Sequence, residues 1–152
     1  MFVRNRSFCA GMSTITRGNA AEAAVLNAMI RADLIVLTPF GGGAPYDLVV
    51  DSGLDLIRVQ VKCARLRDDC VVFNSCATDH GRGRMNYKGR ADVFGVHCPQ
   101  IDRSFVVPVD DCANHQVRLR CTPTRNNQRR GVHFADDFRV ERWRPAAVEL
   151  AA

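Results

Sequence analysis

Apolar residues recur with two different periods along this chain. In TRGNAAEAAVLNAMIRA, residues 16 to 32, they return every three or four positions, the spacing of one helix face. Thr16 is the expected cap, alanine is abundant, and nothing after Gly18 breaks the run. From Leu34 onward the runs shorten to strand length. Leu34 to Leu37, Asp47 to Val50, Leu54 to Ala64 and Cys70 to Ser75 read as four strands, with ARLRDD as a charged hairpin loop before the fourth. The turn Asp51-Ser52-Gly53 folds the second and third into a hairpin. Cys76 to Arg90 is polar and reads as a loop or short helix. Val93 to Cys98 and Ser104 to Val109 form a second pair about the turn PQID, with Pro108 suited to an edge or a strand end. Asp110 to Ala113 begins a helical turn, Val117 to Cys121 is a brief strand, and TPTRNNQRRG is a basic loop. Phe134, Phe138 and Trp143 are the late aromatics; Phe134 reads as core, the other two as core or interface. The sum is α/β: a leading helix, a mixed sheet and late basic loops. One domain, 14 to 144, is expected between tails at 1 to 13 and 145 to 152.

Four polar residues interrupt this pattern where the fold alone does not need them. In RVQVK, side chains alternate faces, so Gln60 and Lys62 share one side while Val59, Val61 and Cys63 take the other. The hairpin brings Asp47 toward the polar side. On the helix, Glu22 shares a face with Val25, Leu26 and Met29, which is costly unless something pairs with it. Complementing the helix dipole from the first turn is the alternative role for this glutamate. A carboxylate, a carboxamide and an ammonium on one sheet face suit a metal ion and a phosphate, and so a nuclease.

Composition changes the picture modestly. At 152 residues the chain can bury about 70% of its unfolded surface without disulfides. Seven cysteines form an odd set with no CxxC pair, so they read as reduced, mostly buried small apolar residues rather than zinc ligands. His97 and Cys98 are adjacent on a strand and face opposite ways, which removes them as joint ligands. No apolar run reaches the roughly 20 residues of a membrane span, and the opening MFVRNRSFCAGMST has no signal-peptide core, so a cytoplasmic protein is expected, associated with the nucleoid through DNA or acting in a phage-infected cell. The net charge of +5 fits a polyanion partner. Of 21 basic residues only Lys62 and Lys88 are lysine, so position 62 selects a compact ammonium over a planar guanidinium.

Taken in order, Glu22 on a first helix, Asp47 after Pro45-Tyr46, and Gln60-Val61-Lys62 resemble the PD-(D/E)xK nuclease superfamily. The lead-in TPFGGGAPYDLVVD, the strand RVQVK, Arg65, Asn74 and the late NNQRRG are similar to its group I intron homing endonuclease branch. The resemblance covers most of residues 14 to 138 and implies a restriction-endonuclease-like αβββαβ core with the site at one sheet edge. It further implies Mg-dependent hydrolysis of phosphodiester bonds in double-stranded DNA, with manganese as a workable substitute and no organic cofactor. Glu22, Asp47, Gln60 and Lys62 are the implied catalytic set. Glu22, Asp47, the Gln60 amide oxygen and the Val61 carbonyl are the implied metal ligands. Lys62 is open to three roles: orienting water, helping deprotonate it, or stabilising the phosphorane. Gln60 stands where the superfamily usually carries an acid, so the site has one negative charge fewer.

Two basic stretches are expected to contact DNA. Arg65 and Arg67 follow the catalytic strand, and Arg82, Arg84, Tyr87, Lys88 and Arg90 lie in the polar stretch after it. Arg125, Asn126, Asn127, Gln128, Arg129 and Arg130 form the late cluster, with side-chain chemistry for reading guanine and adenine. A double-strand break needs two sites, so a homo-oligomer, dimer or tetramer, is expected. The alternatives are a Holliday-junction resolvase-like nuclease and a non-catalytic DNA-binding module on the same scaffold.

Overall fold

The computed structural model describes residues 11–79, 83–113, 115–124, 126 and 128–145, so the expected tails at 1 to 13 and 145 to 152 lie largely outside the described residues. Helix α1 spans Thr14–Arg31. Its cap is Ser13, not Thr16: the Ser13 Oγ accepts the Thr16 N–H at 3.1 Å. The hydroxyl thereby satisfies one of the first-turn amides that lack a helical acceptor. At the other end Asp33 takes the left-handed conformation at φ 63°. The bonds Asp33 N–H to Ile30 C=O and Leu34 N–H to Met29 C=O close the helix. Ala21, Val25 and Met29, four apart, form its buried stripe.

That stripe lies on a five-stranded sheet made of β1 (Ile35–Leu37), β2 (Leu48–Asp51), β3 (Leu56–Cys63), β8 (Val93–Cys98) and β9 (Arg103–Pro108). The order is β1-β2-β3-β8-β9. Only β3 and β8 run parallel. The β2–β3 turn is the expected one, with Gly53 at φ 84° and its N–H donating to Asp51 Oδ1 at 2.8 Å. Pro108 ends β9, an edge strand, where its missing N–H costs no ladder bond.

Between the parallel strands the αβββαβ formula places a second helix. The described residues there build two β-hairpins instead, and the restriction-endonuclease-like arrangement of helix and mixed sheet stands around them. ARLRDD is not wholly a loop. Arg65–Arg67 is β4, and it pairs with β5 (Cys70–Asn74) through Asp68 and Asp69, both left-handed at φ 48° and 55°. Two such residues make the type I′ turn that matches strand twist. The stretch after Cys76 is likewise a hairpin, β6 (Cys76–Asp79) with β7 (Gly83–Asn86), rather than a loop or helix. Strand β10 (Gln116–Arg120) completes a second sheet in the order β10-β5-β4. Short 3₁₀ turns follow at Val109–Asp111, Ala135–Phe138 and Val140–Arg142.

Two cores result, one on each face of the large sheet. Val25 and Met29 pack with Leu48, Val50, Val59 and Val106 beneath α1. A Cβ on Gly95 would sit 2.7 Å from Val25 Cγ1, so this glycine lets helix and sheet approach. On the opposite face Phe73, Tyr87 and Phe94 meet edge to face, with centroids 5.6 and 5.5 Å apart, among Val96, Phe105 and Leu119. Burying each such side chain contributes about 1.5–3 kcal/mol of transfer free energy. Phe138 and Trp143 pack half-buried against the two cores, and Phe134 is half-buried. Six cysteines fall among the described residues and none is in a disulfide; Cys70 and Cys98 are buried, Cys63 is exposed and the rest are intermediate. The expectation of mostly buried cysteines holds only in part. His97 is buried beside Ser104, its Nδ1 3.1 Å from the hydroxyl, and burial lowers its pKa.

Candidate active site

Asp47 sits one residue before β2, held by its own N–H to the Val59 carbonyl at 2.9 Å. That bond extends the β2–β3 ladder and aims the side chain at β3. Its Oδ2 accepts the Val61 N–H at 2.7 Å and the Gln60 side-chain amide. The same amide reaches the Val61 carbonyl at 3.3 Å. One carboxylate oxygen thus accepts two hydrogen bonds, while Oδ1 and the Gln60 Oε1 are further oxygen acceptors of the same group.

Glu22 reaches the same place from the helix. Because α1 starts at Thr14, Glu22 lies in its third turn, and no acid occupies the first. The dipole role considered for it is removed. Glu22, Asp47 and the loop residues Thr38, Pro39, Gly41 and Tyr46 line one small pocket of about 190 Å³. Burial raises the Glu22 pKa and the nearby Asp47 charge raises it further. Burial also raises the Asp47 pKa, opposed by the Val61 N–H, by Lys62 and by Gln60. Both charged forms are disfavoured together.

Lys62 is supported from the other core. Its Nζ donates to the Tyr87 hydroxyl at 3.1 Å and lies 4.4 Å from the Tyr87 ring centroid and 6.0 Å from that of Phe94. A cation over π faces is held with little loss of positive charge. The sequence reading gave Tyr87 to DNA. In the structure Tyr87 is buried, 8% exposed, and its ring packs edge to face on Phe94.

Sequence reasoning also missed a clamp at the start of β3. Arg58 donates to Asp92 from Nε at 3.0 Å and Nη2 at 2.7 Å, and its backbone N–H meets the same carboxylate at 2.8 Å. Nη1 reaches the Gly89 carbonyl at 2.9 Å. Bonding by Arg58 holds the Asp92 carboxyl below its usual pKa range. An arginine in a strand followed 34 residues later by an aspartate carries no local signal.

Of the expected DNA contacts, Arg65, Arg67, Lys88, Asn126, Gln128, Arg129 and Arg130 are exposed and Arg90 is half-buried. Arg84 belongs to β7, and Arg82, Arg125 and Asn127 lie outside the described residues. Arg129 stacks 5.2 Å over the Phe134 ring. Among the described residues no three His, Cys, Asp or Glu side chains converge as a metal cluster; the site offers two carboxylates with an amide and a carbonyl. No helix among the described residues is long and apolar enough to cross a membrane.

A helix-backed mixed sheet with two acids meeting at one pocket, near the ends of its second and third strands, has the arrangement of a nuclease. The chain belongs to the PD-(D/E)XK endonuclease family, which it matches over residues 12–141. Among solved structures it is similar to a bacterial homing endonuclease, I-Ssp6803I, at 25% identity and a TM-score of 0.66, covering 84% of this chain and 89% of that one. No curated protein matches.

Proposed function

We propose that this chain is a Mg-dependent, site-specific double-strand DNA endonuclease of the intron-homing type, working in the cytoplasm as a homo-oligomer with an even number of sites. The observation that carries the reading is the meeting of Glu22 and Asp47 from separate elements on one pocket, with Lys62 acting electrostatically on Asp47. The donor set fits a hard cation: Glu22, Asp47 Oδ1, Gln60 Oε1 and the Val61 carbonyl are all oxygens. When bound, magnesium would neutralise charge building on the phosphate oxygens and make water a better nucleophile.

The chain's own groups do the remainder. Asp47 is fixed by two donors, so its free oxygen is aimed before substrate arrives. Lys62 presents an ammonium on an aromatic platform, positioned to hold water, take part in its deprotonation or stabilise negative charge on the transition state. Hydrolysis exchanges one P–O ester bond for a bond from water, leaving a phosphomonoester and a hydroxyl.

The test offers the protein a linear duplex carrying an uninterrupted intron-insertion site, an unrelated duplex and a four-way junction, each with magnesium or with chelator. Magnesium-dependent cutting of both strands at one sequence is expected. Cutting of any junction regardless of sequence would support the resolvase-like alternative, and binding without cutting would leave a DNA-binding module.

A further inference from the structure

Residues paired across a sheet share a face, and so do residues two apart on a strand. In the β10-β5-β4 sheet Arg65 pairs with Val72 and Val72 with Arg118; Arg67 pairs with Cys70 and Cys70 with Arg120. Four arginines therefore stand on one face, two on each side of a narrow apolar seam. The alternate residues Leu66, Val71 and Leu119 turn into the aromatic core. Arg65, Arg67 and Arg118 are exposed and Arg120 is half-buried, its Nε donating to the Thr122 carbonyl at 2.9 Å, while Val72 and Cys70 between them are buried.

The face continues into a groove of about 590 Å³ whose walls include Arg65, Val72 and Asn74 on one side and Arg17 and Gly18 of α1 on the other. The groove reaches the site along both walls. Cys63 and Ala64 in its lining follow Lys62 directly, and Gly18 lies one helical turn from Glu22. No carboxylate among the described residues pairs with Arg17 or Arg65, whereas Arg58, Arg103, Arg118 and Arg139 all have acidic partners. Gly18 is anomalous within a helix, where alanine is more stable. A Cβ placed there meets nothing within 4 Å, so packing does not require the glycine, and the bare backbone leaves room in the groove.

We infer that the arginine face Arg65, Arg67, Arg118 and Arg120, with the Arg17–Gly18 groove as its mouth, is the track on which a DNA phosphate backbone is led to the site. The inference rests on the nuclease reading above and adds the residues that carry the strand. Asp68, 3.5 Å from Arg118, would give up that arginine to phosphate on binding.

The experiment measures affinity for a mixed-sequence duplex across a salt series in chelator, so that no strand is cut. Arg118→Gln with Arg120→Gln keeps the side-chain stems over the seam; the slope of log affinity against log salt should fall by about 1.8, near 0.9 for each lost phosphate contact. Gly18→Ala should raise the melting temperature by about 2–4 °C. Gly18→Leu should keep the fold while weakening binding about tenfold or more. If wild-type protein shows salt-dependent binding and neither the slope nor the Gly18→Leu affinity changes, the track is elsewhere and the inference fails alone. If wild-type protein shows no such binding, the DNA reading fails first.

Discussion

Strand β3 carries an aspartate partner at each end, and the two are treated in opposite ways. Near its start, Asp92 receives two guanidinium nitrogens and a backbone N–H from Arg58, and its pKa is lowered. Near its end, Asp47 is engaged through one oxygen, is buried close to Glu22, and its pKa is raised. The first charge is matched by a guanidinium, whereas the second is disfavoured by burial. Under the proposed function, the two shifts separate an ion pair of the fold from an acid of the site by their sign.

The sharpest break of this contrast is Asp47→Asn. Cleavage should fall about a thousandfold or more, because the variant loses an anionic ligand and its aimed oxygen. DNA binding in chelator should persist. Stability should move the other way. An acid with a raised folded pKa contributes stability that is complete below its unfolded pKa and is lost as pH rises through the folded one. At neutral pH the variant should therefore melt higher than wild type, and the gap should close as the pH falls to about 4. Equal melting temperatures at both pH values would mean that Asp47 is not destabilising.

Next in size is Lys62. Lys62→Met removes the ammonium and should cost about 10²–10⁴ in cleavage rate while duplex affinity changes little. Lys62→Arg should recover little, since a planar guanidinium does not reproduce a compact donor 3.1 Å from the Tyr87 hydroxyl. Full activity in Lys62→Met would remove the lysine from the chemistry. The support beneath it is worth less: Tyr87→Phe keeps the π face and should cost a few-fold, whereas Tyr87→Leu removes about 0.5–2 kcal/mol of cation–π interaction and should cost about tenfold. A split in which kcat falls and KM does not would mark Tyr87 as a positioning residue.

What the sequence made legible follows physical locality. The alternation in RVQVK set Gln60 and Lys62 on one face because strand parity is a two-residue rule, and the Asp51-Ser52-Gly53 turn fixed how far back Asp47 had to be. Glu22 stood out because an acid on an apolar helix face is visible within one turn, and it lines one pocket with Asp47. The hairpin at 76–86 was missed because its pairing, Cys76 with Asn86, spans a polar stretch with no apolar alternation to announce a strand. The burial of Tyr87 was hidden for a similar reason: its ring packs on Phe94, which belongs to another element. The four-arginine face is invisible without the register of β4, β5 and β10, which no spacing rule supplies.

The smallest effect, and the one that completes the contrast, belongs to Asp92. Asp92→Ala leaves Arg58 without its carboxylate and should destabilise the fold by about 1 kcal/mol, a figure held down by solvent screening because both side chains are partly exposed. Its pH dependence has the opposite sign to that of Asp47. A carboxyl with a lowered folded pKa contributes stability that is present above its unfolded value and is lost as pH falls through the folded one. The difference in melting temperature between wild type and Asp92→Ala should therefore be largest at neutral pH and shrink as the solution is acidified below about pH 4. The difference between wild type and Asp47→Asn, of reverse sign, shrinks over a higher pH range and has already closed by about pH 4, where that of Asp92→Ala only begins to fall. Arg58 lies on β3 two residues before Gln60, so loosening it should also slacken the catalytic strand, lowering cleavage a few-fold with no change in the cation concentration required. A raised cation requirement would instead mean that the clamp and the acid pair are one unit, and that the division drawn along β3 is wrong.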